Sequence, residues 1–176
     1  VDVKQHTKKL TQKLKDAKTN KATDSPLFQL LDNYPNISHE KTDIFRELVQ
    51  YSANMKEELA EIRNRDLTPE QKLNTLQQFE ENLGDLGEIE SGVIIDLFLS
   101  YRAFNGYEKM VSLVKKMPQP LASTVLVREQ LGFALNRLKK RKEAEVVLST
   151  LIEERGPSSE TLGILGRVYK DQWEEA

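Results

Sequence analysis

Leu131–Gly132 and Leu165–Gly166 repeat the same pair of residues 34 positions apart. A recurrence of that length is the size of one helix–turn–helix unit, and it narrows the fold more than any other feature of the chain. One helical hairpin cannot bury its own apolar face, so each unit must stack on the next. The residues around the pair fit such a unit. From Gly132, a large residue follows at Leu135, a small one at Ala144 and a proline at Pro157. From Gly166 the large residue is Tyr169. One period upstream stand Leu97–Phe98, Tyr101, Met110 and the Pro118/Pro120 break, a degenerate copy. Small residues at Gly132 and Ala144 let two antiparallel helices approach closely. Large residues at Tyr101, Leu135 and Tyr169 fill the space between neighbouring hairpins. The register predicts hairpins over about 91–118, over 125–155 and from 159 onward. The last is half present, which predicts apolar surface left uncovered on it.

The rest of the chain reads as helix, with glycine and proline falling between apolar-periodic segments. Val3, Leu10, Leu14 and Ala17 share one face of a first helix, whose lysine-rich opposite face reads as solvated. Thr23–Asp24–Ser25–Pro26 is a helix start, and Pro35 ends that segment. A long amphipathic helix is predicted from about Lys41 to Arg63, with Ile44, Leu48, Tyr51, Met55, Leu59 and Ile62 on one stripe. Thr68–Pro69–Glu70–Gln71 carries a capping threonine, a proline and a glutamine three residues on, and Gly84 can close the helix that follows. Further helices are predicted at Ile89–Phe104, Tyr107–Lys116, Leu121–Lys139, Lys142–Glu154 and Ser159–Trp173. No segment alternates with period two, so no strand is expected. The expected fold is all-α: helical hairpins stacked as degenerate tetratricopeptide repeats in an α-solenoid-like arrangement. An irregular helical bundle is the competing arrangement. The expected organisation is an amino-terminal helical segment over 1–35, or the end of an upstream domain, then a long hairpin over 36–87. Degenerate repeats follow over 88–176, the last of them truncated.

Composition removes several classes of function. The chain has no cysteine, which excludes disulfides and thiolate metal sites and fits a cytoplasmic setting. A net charge of −2 gives no overall drive toward nucleic acid or an anionic membrane surface. The apolar run Gly92–Leu99 is far too short to span a bilayer, and Val1–Lys21 lacks the apolar core of a signal peptide. The chain reads as a piece of a longer protein. His6 and His39 stand far apart, so no metal site is expected. Glu57–Glu58–Glu61 and Glu80–Glu81 lie on hydrophilic faces and read as solvated charge rather than a catalytic pair. Ser91, Ser100 and Ser123 have no histidine and acid beside them, and Gly84, Gly87 and Gly92 lack phosphate-loop spacing. No catalytic residue and no cofactor are expected, and the chain is not expected to be an enzyme.

Two segments carry a family resemblance. Phe133–Ala134–Leu135–Asn136–Arg137 and Gly166–Arg167–Val168–Tyr169–Lys170–Asp171 resemble the TRAF-binding, tetratricopeptide-containing regulatory region of the apoptosis signal-regulating kinases. The chain is more similar still to a group of bacterial tetratricopeptide proteins. There Asp24–Ser25–Pro26–Leu27–Phe28–Gln29–Leu30, Lys41–Thr42–Asp43–Ile44–Phe45–Arg46 and Arg155–Gly156–Pro157–Ser158–Ser159–Glu160–Thr161 look like the same landmarks. The bacterial resemblance covers nearly the whole chain, and the kinase-like one about its last third. In the bacterial proteins this region follows a nucleotide deoxyribosyltransferase-like or TIR-like domain, and residues 1–22 would be its end or the linker from it. The resemblance implies a regulatory scaffold that couples an upstream effector domain to a partner. Adaptor binding itself is not carried over, because no adaptor-contacting motif is matched. The alternative is an accessory or oligomerisation region of a nucleotide-processing enzyme whose catalytic domain lies outside this chain.

The register also points to a surface. Arg102, Asn136 and Lys170 occupy one equivalent position, 34 residues apart, on the face expected to be concave. Arg137 and Arg167 stand beside that line. Together they predict a basic groove for a protein partner or acidic peptide, since guanidinium forks pair well with carboxylates. Ordinary surface charge is the simpler alternative. Phe133, Tyr169 and Trp173 are expected to pack between hairpins, with Trp173 partly exposed, and a ligand-contacting aromatic group is the alternative. The Ile44–Ile62 stripe is expected within the domain, though its spacing could also pair two chains into a homo-oligomer.

Overall fold

A computed structural model describes the backbone of residues 39–175 and the side chains of 46–175. The helix expected over Val3–Ala17, its lysine face and the start at Pro26 lie outside the described residues. Eight helices make up the described chain: α1 (His39–Asn64), α2 (Pro69–Asn82), α3 (Ser91–Ala103), α4 (Tyr107–Lys116), α5 (Gln119–Ala122), α6 (Val125–Arg137), α7 (Arg141–Arg155) and α8 (Ser159–Glu175). No strand occurs among the described residues. The chain divides into two units at residues 49 and 50. The packing described below is that of the second.

Local chemistry sets the helix ends. Thr68 Oγ1 accepts from the Gln71 amide at 3.3 Å, and Gln71 Oε1 accepts from the Thr68 amide at 3.0 Å. This reciprocal box satisfies two of the donors that a helix start leaves unpaired. Past the other end of α2, Gly84 turns the chain at φ 71°, a conformation that costs glycine little. The sequence suggested one helix over Leu121–Lys139, but the structure breaks it into α5 and α6. At the break, Ser123 Oγ donates to the Pro120 carbonyl and Thr124 Oγ1 to that of Leu121. Such hydroxyls offer the backbone an alternative to continuing the helix.

The helices pack in succession, each on its neighbours, as an all-α, solenoid-like array. α3 lies against α2 and α4, α4 against α6, and α7 against both α6 and α8. One apolar cluster takes Leu59 and Ile62 of α1, Leu76 of α2, Leu97 and Phe98 of α3, and Met110 and Leu113 of α4. A second joins Leu135, Ala144, Leu148, Leu165 and Val168, and Val111 packs against both. Each leucine buried this completely contributes about 1.5–3 kcal/mol. Of the stripe predicted on α1, Met55, Leu59 and Ile62 are buried, while Leu48 and Tyr51 are exposed.

Tyr101 is fully buried and gives its hydroxyl proton to Glu80 Oε2 at 2.7 Å. Lys116 donates to the other oxygen, Oε1, at 2.6 Å. Burial and then the Glu80 carboxylate push the Tyr101 phenol above its usual range, so it stays a donor.

Gly132 has a packing reason that Gly166 lacks. A Cβ placed there would lie 2.7 Å from Leu148 Cγ and Cδ2, so α6 and α7 touch at a point with no room for a side chain. At Gly166, one period on, an added Cβ meets nothing within 4 Å. The same substitution should therefore act with opposite sign at the two sites. Gly132→Ala should destabilise by about 1–3 kcal/mol through overpacking against a buried leucine. Gly166→Ala should stabilise by about 0.5–1 kcal/mol through helix propensity. Urea unfolding midpoints of both variants check this, and two shifts of the same sign would contradict it.

Candidate interaction groove

Residues of α3, α6 and α8 line a groove of about 260 Å³. α3 contributes Arg102. α6 contributes Gln130, Phe133, Asn136 and Arg137, and α8 contributes Ser159, Glu160, Gly163, Ile164 and Arg167. The Phe133 ring organises the basic side. Arg102 Cζ lies 4.7 Å and Arg137 Cζ 5.0 Å from its centroid, and Tyr107 meets it edge-on at 5.9 Å. A guanidinium over an aromatic face is attracted by about 0.5–1 kcal/mol at an exposed site, which restrains two otherwise mobile side chains. Among the ion pairs of the described residues, none involves Arg102 or Arg137. Two guanidinium groups thus lie over one ring with no carboxylate among the described residues paired to them.

The other predicted site residues have different situations. Arg167 lines the groove and also donates from Nε to Asp171 Oδ1 at 2.8 Å. Asn136 lies in the groove floor, but its amide is already used. Its Nδ2 donates to Asp171 Oδ2 at 2.8 Å, and its Oδ1 accepts from Arg141 Nη1 at 2.9 Å. The Asn136 hydrogen bond first, then Arg167 and Arg141, hold the Asp171 carboxyl below the usual carboxylate range. Arg141 also pairs with Glu175, whose carboxyl is lowered chiefly by that bond. Asn136 therefore ties α6, α7 and α8 together beneath the groove. Lys170 is not among the lining residues; it pairs with Glu174 at 3.5 Å.

Three groove features escaped the sequence reading. Gln130 is 7% exposed, and its Oε1 is buried with no hydrogen-bond donor. Gly163 leaves open space, since an added Cβ there meets nothing within 4 Å. Glu160 places one acidic group in an otherwise basic setting. None stands in the 34-residue register, so the spacing gave no signal for them.

Beyond the groove, α8 exposes Leu162, Tyr169 and Trp173, the last at 80%. Tyr169 therefore does not fill a gap between helices as Tyr101 and Leu135 do. An apolar cleft of about 470 Å³ lies between α4, α6 and α7, lined chiefly by Val111, Val114, Leu131, Val146 and Val147. Among the described residues no helix is long and apolar enough to cross a membrane.

The comparisons with known proteins agree on one kind of region. Residues 2–176 match the family model described as MAP3K TRAFs-binding domain. Mitogen-activated protein kinase kinase kinase nsy-1 of Caenorhabditis elegans is 29% identical over 144 residues, which is 71% of this chain and 10% of that protein. Mouse mitogen-activated protein kinase kinase kinase 15 is 32% identical over 104 residues, 54% of this chain and 8% of that protein. Mouse mitogen-activated protein kinase kinase kinase 5 is 29% identical over 106 residues, with 56% and 8% covered. The chain thus spans about a tenth of the length of the curated relatives it matches. No solved structure matches it. The likeness to these kinases reaches well beyond the last third to which the sequence motifs confined it. With the family match running from residue 2 to residue 176 over an all-helical array, the chain belongs to the MAP3K TRAFs-binding domain family.

Proposed function

We propose that this chain is a protein-interaction region of tetratricopeptide type, a regulatory scaffold that couples an upstream effector domain to a partner. In this proposal Arg102, Arg137 and Arg167 receive an acidic segment of that partner. The observation that carries it is the pair Arg102 and Arg137, both lying over Phe133 and neither in an ion pair among the described residues. Guanidinium forks left without anions in a concave site are suited to carboxylates from another chain. The family description, a binding domain, supports a protein as the partner class. The 34-residue spacing and the close Gly132–Leu148 approach support the repeat type. Within the site first expected, Asn136 supports the floor and Lys170 stands outside.

The test is capture from native lysate with three baits: the wild type, Arg102→Glu/Arg137→Glu and Lys170→Glu. The groove double reversal should cut recovery of a bound protein by at least about tenfold, the scale of losing one charge-assisted contact or more. Lys170→Glu should recover it as the wild type does, and circular dichroism should show all three equally helical. Recovery of the same proteins by all three baits would refute the proposal.

A further inference from the structure

We infer that the apolar cleft between α4, α6 and α7 is a second docking surface. Its occupant is an amphipathic helix of a partner protein, with two aliphatic side chains one turn apart and carboxylates on both sides of them. None of the residues that line this cleft lines the groove described above, so the two surfaces stand or fall separately.

The cleft has a volume of about 470 Å³. α6 supplies Leu131 and Leu135, α4 supplies Val111 and Val114, and α7 supplies Val146 and Val147. Leu135 is 3% exposed and lies deepest, whereas Val146 stands at the rim at 64%. Contiguous aliphatic surface open to water marks interaction sites. Among the described residues, the rest of the lining is Lys115 of α4 with Lys142 and Glu143 of α7. Glu143 pairs with Lys140 at 3.7 Å, but neither Lys115 nor Lys142 is in an ion pair among the described residues. α4 and α7 each pack on α6, so the two lysines flank an apolar floor. The aliphatic lining offers no partner to main-chain N–H and C=O groups, which an extended segment would bring in unpaired. A helix arrives with its backbone groups already bonded. The lining of α4 runs from Val111 to Lys115 and that of α6 from Leu131 to Leu135, a length of about 6 Å along each axis. Side chains at i and i+4 of a bound helix have the same spacing, the pattern by which an apolar groove takes an amphipathic helix. The two lysines set the charge. An acyl anion is charged at one end and would engage one of them, whereas glutamates on both sides of an apolar stripe reach both.

The test is an ¹⁵N NMR titration of the whole chain with a hydrocarbon-stapled helical peptide that carries leucines at i and i+4, glutamates on both sides of them and alanine elsewhere. The amides of Val111, Leu131 and Val146 should shift, and those of Phe133 and Gly163 should stay. Val146→Glu, at a residue already exposed, should weaken binding at least about tenfold, the scale of losing a contact at the centre of an interface. Lys115→Glu/Lys142→Glu should weaken it by a similar factor and should instead bind the peptide with lysines in place of its glutamates. Arg102→Glu/Arg137→Glu should leave binding unchanged. Replacing the two leucines by serine should abolish the shifts, and binding that survives it would overturn the inference, since charge alone would then suffice. A peptide that moves none of these signals, or a charge exchange that fails to restore binding, would overturn it too. Decanoate that shifts the same amides where the peptide does not would assign the cleft to an acyl chain. Sedimentation should give the wild type and Val146→Glu the same mass. A dimer that the substitution dissolves would mean that a second copy of the chain fills the cleft, and the inference would fail.

Discussion

Tyr101→Ala is expected to lower the stability of the helical array by about 3–5 kcal/mol, the range for truncating a fully buried aromatic side chain. Two effects add. The ring is wholly enclosed where α3 meets its neighbours, and alanine leaves its volume empty. The lost hydroxyl also leaves Glu80 Oε2 without its donor, while Lys116 still holds only Oε1. Glu80 is itself buried, so that oxygen cannot turn to bulk water. Tyr101→Phe separates the two effects. It keeps the packing and should cost about 1–3 kcal/mol for the unpaired acceptor alone. Urea unfolding of the two variants and the wild type, with unchanged slopes, reads both numbers. If Tyr101→Phe were neutral, Glu80 would not depend on the phenol, and the ring alone would account for the site.

The residues that the sequence made legible are those whose role depends on size at a fixed spacing. Tyr101 and Leu135 had to be large, and Gly132 had to be small, because neighbouring helices meet at those points. Their burial and the Gly132–Leu148 approach follow from that requirement. Thr68 and Gln71 were legible for another reason: a capping box needs just four residues of one segment. Partnerships across the fold were not legible. Asn136 shares its register with Arg102, but its amide is taken by Asp171 of α8 and Arg141 of α7, which no local pattern announces. Gln130 reads in the sequence as any polar residue on a helix, and its burial comes only with the fold. Lys170 illustrates the limit of strict periodicity. The groove passes from Arg102 through Asn136 to Arg167, one helical turn before the in-phase Lys170.

Gly163→Leu should abolish partner capture without altering a single charge, reducing it by more than about 30-fold, the scale of losing a binding hot spot. The glycine lines the groove, and the space above its Cα is empty, so a leucine side chain would project into a cavity of about 260 Å³. A Cβ at this position meets no neighbouring atom within 4 Å. Leucine is also the better helix former, by about 0.8–1 kcal/mol, so the variant should be at least as stable as the wild type. Gly166→Leu is the matched control: the same change one turn along α8, equally open, at a residue that does not line the groove. It should gain stability and keep full capture. The pair also separates shape from charge. Reversal of Arg102 and Arg137 acts through a field that salt screens, so its effect should shrink as ionic strength rises. The leucine plug excludes the ligand at any ionic strength. If Gly163→Leu still captured the partner while the charge reversal did not, the arginines would be acting as a surface patch. The partner would then lie over α3 and α6 without entering the groove.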